Sequence, residues 1–485
     1  MSAGTTSNDA DFLPYTSLPF AYTQPSALAA VAALQGVTAP AVETARILEL
    51  GCAGGGNTIP LAARFPNATF TAIDISEDEI AIGRTRVKAL GLTNMRIEAM
   101  DILDFAETKQ EFDYIIAHGV LSWAPAPVQK AVFKICRAQL APDGVAVISF
   151  NVLPGWGIQQ IVRDICMRNV DHKAPPLERA RQAQAALRRF ASVAAENNPY
   201  GIIVRQAAQR ASGLSPSYLL AEFLAEVNEC FFFEDVVREA AANGLHYIGE
   251  GELAMATPEL LAPDAARAIR EMGAGDRLKT QAHLDTVSGR IFRRAVFAKR
   301  PGHEHLDVSK LLTLHVNGAL RQDPQTPASF RFDTGQVLRA PNDDAIAALA
   351  TIAHAYPDTV PVAQLVSAAR NGAQLAQLLL QLVSIGSLRV STTPLKVGRA
   401  DADKPRAFEI ARIEAAENQG WVTTLQHRST PLTPDAMALL ASLDGAHDHA
   451  HLVAAASQWA PTGDPAAARL TAALNLLERE ALLLP

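Results

Sequence analysis

One short segment constrains this chain more than any other: Ile47-Leu48-Glu49-Leu50-Gly51-Cys52-Ala53-Gly54-Gly55-Gly56-Asn57. An apolar run ends in an acid, passes through a glycine-rich turn and enters a helix read over residues 58–64. Glycines there let backbone approach a ligand without interference from a Cβ. Further apolar strands are expected at residues 70–74, 95–98, 112–117 and 144–150. Helical patterns separate them, for example residues 77–90 behind Ser76 as a cap. Strands of this kind alternating with helices imply an α/β fold, a doubly wound parallel sheet covered on both faces.

Two cofactor classes use such a turn. A dinucleotide site wants GxGxxG, with its middle glycine against the pyrophosphate. Here Ala53 holds that position, and the carboxylate of Glu49 just before the loop would repel a pyrophosphate. S-adenosylmethionine carries no phosphate; its sulfonium, ammonium and ribose suit an acidic, glycine-lined pocket. Asp74 ends the second strand, where a carboxylate accepts both ribose hydroxyls. Asp101 and Ile102 follow the third strand, placed to take the adenine amino group and pack its ring. Acids at strand ends also cap helices. Glu49, Gly51, Gly55, Asp74 and Asp101 in order on successive strand ends nevertheless point together to a cofactor site, because ligands in such sheets bind at the carboxyl ends of strands.

After Phe150 the alternation stops. Residues 157–229 are expected to be helical, and the arginines of residues 177–191 to be a solvated helix face. A helix at 234–243 and strands at 245–249 and 291–298 then resume the sheet, so the helical stretch is an insertion. The expected divisions are 1–156 for the core with an N-terminal lid, 157–230 for the insertion, 231–300 for the rest of the core, and 301–397 and 398–485 for two C-terminal units. The last two rest on a degenerate repeat. Asp344-Ala345-Ile346 corresponds to Asp435-Ala436-Met437, and Leu380-Gln381-Leu382-Val383 to Leu474-Asn475-Leu476-Leu477. Each unit, helices ending in a short strand pair, has the outline of a winged helix, and residues 391–406 join them as a linker.

Charge excludes the usual task of a winged helix. The 485 residues carry 43 Lys and Arg against 50 Asp and Glu, and residues 301–485 carry 14 against 18. A chain that grips nucleic acid needs a basic face. Four scattered cysteines with no CxxC pair indicate reduced thiols rather than a disulfide frame or a zinc cluster. His447, His449 and His451 form no metal set. No run is long and apolar enough to span a bilayer, and residues 1–17 lack the pattern of a secretory signal, so a cytoplasmic protein is expected.

The sequence resembles the class I methyltransferases, and more narrowly the bacterial methyltransferases with a methyltransferase regulatory domain, a group that includes rickettsial protein-lysine methyltransferases. The resemblance lies in Leu48–Ala62, in Phe112-Asp113-Tyr114-Ile115-Ile116-Ala117-His118-Gly119-Val120 continuing to Ser122-Trp123 and Pro125, and in Asn151–Trp156. Weaker matches are Gly244-Leu245 with Tyr247, His283-Leu284-Asp285 and Phe292-Arg293. It implies a Rossmann-like core, a helical middle region, winged-helix-like C-terminal units and a protein substrate. The group tends to have Tyr where this chain has Leu121, Phe150 and Leu153, and His where it has Ala221.

The expected cofactor residues are Glu49, Gly51, Cys52, Ala53, Gly55, Asn57, Asp74, Ile75, Asp101, Ile102 and His118. The product left behind is S-adenosylhomocysteine. His118, Trp123 and Asn151 are the candidate catalytic residues. His118 is a candidate proton acceptor, Asn151 a holder of the amine, and Trp123 with Trp156 the walls of a lysine channel. Residues 18–25 are placed to fold over the cofactor as a lid. A small-molecule methyltransferase and a non-catalytic cofactor-binding module are the alternatives.

Overall fold

The computed structural model describes residues 15–417, 419–459 and 464–485. Of the proposed signal-free start, residues 1–14 lie outside the described residues. Five parallel strands build most of the central sheet: β1 (Arg46–Leu50), β2 (Thr69–Asp74), β3 (Met95–Ala99), β4 (Phe112–Ala117) and β5 (Leu140–Val152). β6 (Cys230–Phe231) pairs with the end of β5. β7 (His246–Glu250) and β8 (Phe292–Ala298) complete the order β3-β2-β1-β4-β5-β8-β7, with β8 antiparallel to both neighbours. β5 is longer than its apolar stretch indicated, because it pairs along its length with β4 and β8.

Side-chain alternation along these strands fills two separate cores, as the two-residue period requires. Ile47, Tyr114, Ile116, Val145 and Val147 face one cluster. Leu48, Leu50, Ile115, Ala117, Ala146 and Ile148 face the other. The helices in the first half are α1 (Pro25–Leu34), α2 (Ile59–Arg64), α3 (Glu77–Ala89), α4 (Ile102–Phe105) and α5 (Ala126–Gln139). Ser76 caps α3 by accepting from the Glu79 amide at 3.3 Å. Acids occupy the first turn of α3 and Arg86 and Lys88 its last, matching the helix dipole.

Between β5 and β6 stand α6 (Gly157–Arg168), α7 (Pro176–Val193), α8 (Pro199–Ala211) and α9 (Pro216–Phe223). They bury their own core around Val162, Cys166, Ala183, Leu187, Val204 and Leu219. Arg181, Arg188 and Arg189 of α7 are exposed. After α10 (Phe233–Ala242), the β7–β8 edge is locked by an ion cluster. Arg293 is fully buried and donates to Asp285 at 2.7 Å and to Glu250.

The chain beyond β8 packs back onto the core. A three-stranded sheet (Val360–Pro361, His315–Asn317, Arg389–Ser391) and helices Asp343–Ala355, Val362–Ala368 and Gly372–Ser384 share one apolar cluster with α1 and a face of the main sheet. Helices Glu409–Ala416, Pro434–Leu440, His449–Ala456 and Ala466–Arg479 form the second unit, whose core takes in Ile59 of α2. The repeated sequence segments fall on helices in both places, at residues 343–355 and 434–440, and at 372–384 and 466–479. The stretch between the units is pinned, with Leu395 and Val397 buried. His447, His449 and His451 each hold a local partner: Asp444, the Ala402 carbonyl and Asp448. Among the described residues no group of acids, cysteines and histidines has metal-site geometry. Among the described residues no helix is long and apolar enough to cross a membrane. Cys52, Cys136, Cys166 and Cys230 are all unbridged.

Candidate active site

The glycine loop between β1 and α2 lies at the carboxyl end of the sheet and forms one wall of a cavity of about 820 Å³. Ala53 sits in the left-handed region at φ 46°, and its amide donates to Asp74 Oδ2 at 2.8 Å. Asp74 Oδ1 accepts from the Ser76 amide at 3.0 Å. This carboxylate therefore ties the β1 loop to the β2 loop. A Cβ on Gly56 would lie 2.2 Å from the Ser17 carbonyl oxygen, so only glycine admits the N-terminal segment this close.

That segment lies across the loop. Ser17 Oγ accepts from the Gly56 amide at 2.8 Å, and the Phe20 amide and Thr23 Oγ1 both donate to Asn57 Oδ1, at 3.1 and 2.9 Å. The same oxygen accepts from His427 Nε2 at 2.9 Å, a residue of the second C-terminal unit. Because an amide oxygen only accepts, His427 carries its proton on Nε2. Asn57 Nδ2 then donates to Glu49 Oε1 at 2.8 Å. Glu49 is buried, and loss of water pushes its carboxyl up to about 8.

On β4 and beyond, His118 meets Tyr22 Oη at 3.2 Å and stacks near Phe20, 4.2 Å between ring centres. Burial, and then the nearby Arg294 charge, press its imidazole down to about 3, so it is neutral. Trp123 Nε1 donates to the Ala221 carbonyl at 3.0 Å, joining the core to α9. Asn151 is fully buried; its amide nitrogen Nδ2 donates to Asn228 Oδ1 at 3.1 Å. Five buried polar atoms of the residues lining this cavity have no hydrogen-bond partner: Glu49 Oε2, His118 Nδ1, Asn151 Oδ1, Trp156 Nε1 and Arg294 Nε. Unpaired buried polar atoms are costly, so their gathering at one cavity marks a place for a polar ligand.

The structure brings Glu49, Gly51, Cys52, Ala53, Asn57, Asp74, His118, Trp123, Asn151 and Trp156 to this one cavity. Four of the sequence-chosen residues do not line it. Gly55 lies beneath the loop against Ile59 and Ile97. Asp101 caps α4, accepting from the Leu103 amide at 2.8 Å, and Ile102 packs in the core beneath it. Ile75 is 76% exposed and outside the cavity wall. Leu121 and Phe150, where the group tends to have Tyr, are in the apolar core and not on the cavity. Sequence reasoning did not choose Glu222, Tyr218, Tyr15, Arg294 or His427 as site residues; only Glu222 had a local mark, as the residue after Ala221, where the group tends to have His.

Three family descriptions match in order along the chain: a methyltransferase domain over residues 47–144, a predicted methyltransferase regulatory domain over 215–299, and the PKMT C-terminal winged helix domain over 403–481. Uncharacterized protein RP028 of Rickettsia prowazekii is 33% identical over 232 residues, a match covering 92% of that protein and 47% of this chain. The chain belongs to this family of methyltransferases. Uncharacterized protein RP789 of the same organism is 33% identical over 305 residues, which is 62% of the methyltransferase described here and about half, 54%, of RP789. PKMT2 from Rickettsia typhi, solved in complex with AdoHcy, shares the fold with a TM-score of 0.85 and 22% identity, over 97% of this methyltransferase and 100% of PKMT2. The residues present fit S-adenosylmethionine: an unpaired carboxylate oxygen for its ammonium, a strand-end acid for its ribose, and a glycine loop that admits close backbone contact.

Proposed function

We propose that this methyltransferase moves the methyl group of S-adenosylmethionine to the side-chain amine of lysine in a protein substrate. The donor supplies an electrophilic methyl on a positively charged sulfur. Glu49 Oε2 receives the donor's ammonium, Asp74 its ribose hydroxyls, and Gly51, Cys52, Ala53 and Asn57 shape the wall between them. Residues 15–24, with Phe20 and Tyr22 facing His118, exclude water from the cavity. His118, held neutral against Tyr22, orients the bound groups through Nδ1.

The observation that carries the reading is the cavity itself. It joins the glycine loop to α9 and to Trp123 and Trp156 without a break, so an amine held by aromatic faces meets the methyl donor in one space. The fold shared with PKMT2 over nearly the whole chain supports a protein-lysine acceptor. Four unbridged cysteines fit a reducing cytoplasm.

The test is transfer of labelled methyl from S-adenosylmethionine to three acceptors side by side: bacterial protein extract, the enzyme itself and a small-molecule extract. Asp74→Ala serves as the control. Label in protein lysine that the control abolishes is the expected result. Label confined to the small-molecule fraction sinks the lysine reading, and absence of label despite cofactor binding points to a non-catalytic module.

A further inference from the structure

The cavity holds four carboxylates, and three are already engaged. Glu49 accepts from Asn57, Asp74 from the amides of Ala53 and Ser76, and Glu79 from the Tyr15 amide at 2.6 Å. The fourth, Glu222 on α9, makes no hydrogen bond or ion pair among the described residues, although it lines the same cavity. Its backbone, by contrast, is fixed on both sides. The Ala221 carbonyl accepts from Trp123 Nε1 and the Glu222 carbonyl accepts from Asn228 Nδ2, each at 3.0 Å. A carboxylate on an anchored backbone, kept half-buried and unpaired, is a vacancy for a cation.

We infer that Glu222 receives the ammonium of the substrate lysine and takes its proton before methyl transfer. This inference rests on the lysine reading above. The titratable groups facing Glu222 are the phenols of Tyr15, from the N-terminal segment, and Tyr218, one turn earlier on α9, and the thiol of Cys230 on β6. All three are neutral near pH 7, because burial raises each. Burial alone pushes Glu222 up to about 7, which suits a proton acceptor at neutral pH. His118 is the weaker base, being pressed to about 3, and Arg294, the cavity's strong cation, is paired with Glu252 at 2.9 Å.

The step balances simply. A lysine ammonium, near ~10.4 in water, gives one proton to a Glu222 oxygen. The freed lone pair on Nζ bonds to the methyl carbon. The carbon–sulfur bond breaks and its electron pair stays on sulfur, leaving a neutral thioether and a methylated ammonium. Glu222 returns its proton to water as the product leaves.

Glu222→Gln keeps shape and removes the base. Three readings on the full chain test the role: S-adenosylhomocysteine affinity by calorimetry, n-butylamine affinity of the S-adenosylhomocysteine-loaded protein, and methyl transfer to a mapped protein acceptor from pH 6 to 10. The expected variant keeps S-adenosylhomocysteine affinity within about twofold, loses amine affinity by about tenfold and slows transfer by about 100-fold at pH 7. The deficit closes as pH approaches ~10, where free amine is supplied by solution. Glu222→Asp, which retains an acid at shorter reach, falls between the two and guards against misfolding of the first variant. Unchanged amine affinity and an unchanged pH profile in Glu222→Gln, with protein labelling by the parent intact, overturn the role of Glu222 alone. A parent enzyme that labels no protein lysine overturns the lysine reading, and the role of Glu222 with it.

Discussion

Two regions of this methyltransferase bury polar groups to a similar depth and treat them in opposite ways. In the β7–β8 edge the buried charges are matched to one another, and Asp285 Oδ1 and Arg290 Nη1, which make no hydrogen bond, face each other as an ion pair. Arg293 donates to Asp285, Glu250 and the Gln281 carbonyl, and its guanidinium lies 3.9 Å from the Phe233 ring centre. Glu250 also accepts from Tyr247 Oη and the Arg294 amide, each at 3.0 Å, and Arg290 pairs with Asp285 at 3.1 Å. In the glycine-loop cavity Glu49, His118, Asn151 and Trp156 each keep one buried atom unpaired. Buried charges matched to one another mark structure, and unpaired buried atoms gathered at a cavity mark a place where something else binds. Tyr247, Asp285 and Arg293, which lie in the weaker stretches of family resemblance, belong to the charge-matched cluster and hold the sheet edge.

The sharpest way to break this comparison is Arg293→Met. It leaves Glu250 and Asp285 buried without their cation, and should cost about 3–5 kcal/mol in denaturant unfolding. The folded fraction should still bind S-adenosylhomocysteine with unchanged affinity; a large loss of binding would erase the distinction between the two regions. Asn57→Leu acts on the open region. It strips Glu49 of its one donor and should lower S-adenosylhomocysteine affinity by about 2–3 kcal/mol, measured by calorimetry, while shifting unfolding less than Arg293→Met.

Phe150→Tyr comes next. Because Phe150 is fully buried in an apolar cluster, the added hydroxyl finds no partner and should cost about 1–2 kcal/mol without raising methyl transfer. A gain in rate would show that the position reaches the cavity after all. The smallest effect is protonic. Glu49 rests near 8 in the free protein, so at pH 7 it is mostly protonated; a cationic ammonium beside it favours the ionised form. Cofactor binding at pH 7 should release close to one proton, and affinity should rise from pH 6 toward 8 and then level. Calorimetry in two buffers of different ionisation heat measures this directly, and proton uptake would contradict it.

Much of the fold was legible because its strands are buried on both faces and therefore read as short apolar runs bounded by turns. The glycine loop was legible for the same local reason, and so were Glu49 and Asp74 at their strand ends. Asp101 shows the ambiguity of a strand-end acid: it caps α4 through Oδ1, a local use that a spacing pattern does not separate from ligand binding. The cavity walls built by Tyr15 and Glu222, and the support His427 gives to Asn57, went unchosen for a different reason. Their proximity exists only after the insertion and the second C-terminal unit have packed, and neither periodicity nor spacing encodes that approach. Even the helical repeat in the last third gave no hint that its second copy sends a histidine to Asn57 of the glycine loop.

Asn57 Oδ1 gathers Phe20, Thr23 and His427 on one atom, 370 residues of chain separating the loop from the last of them. During synthesis the glycine loop emerges early and the sheet follows. The third donor arrives only when the second C-terminal unit has left the ribosome and folded. The loop thus registers the folding of the second C-terminal unit: a chain that lacks residue 427 leaves Asn57 Oδ1 with two donors in place of three.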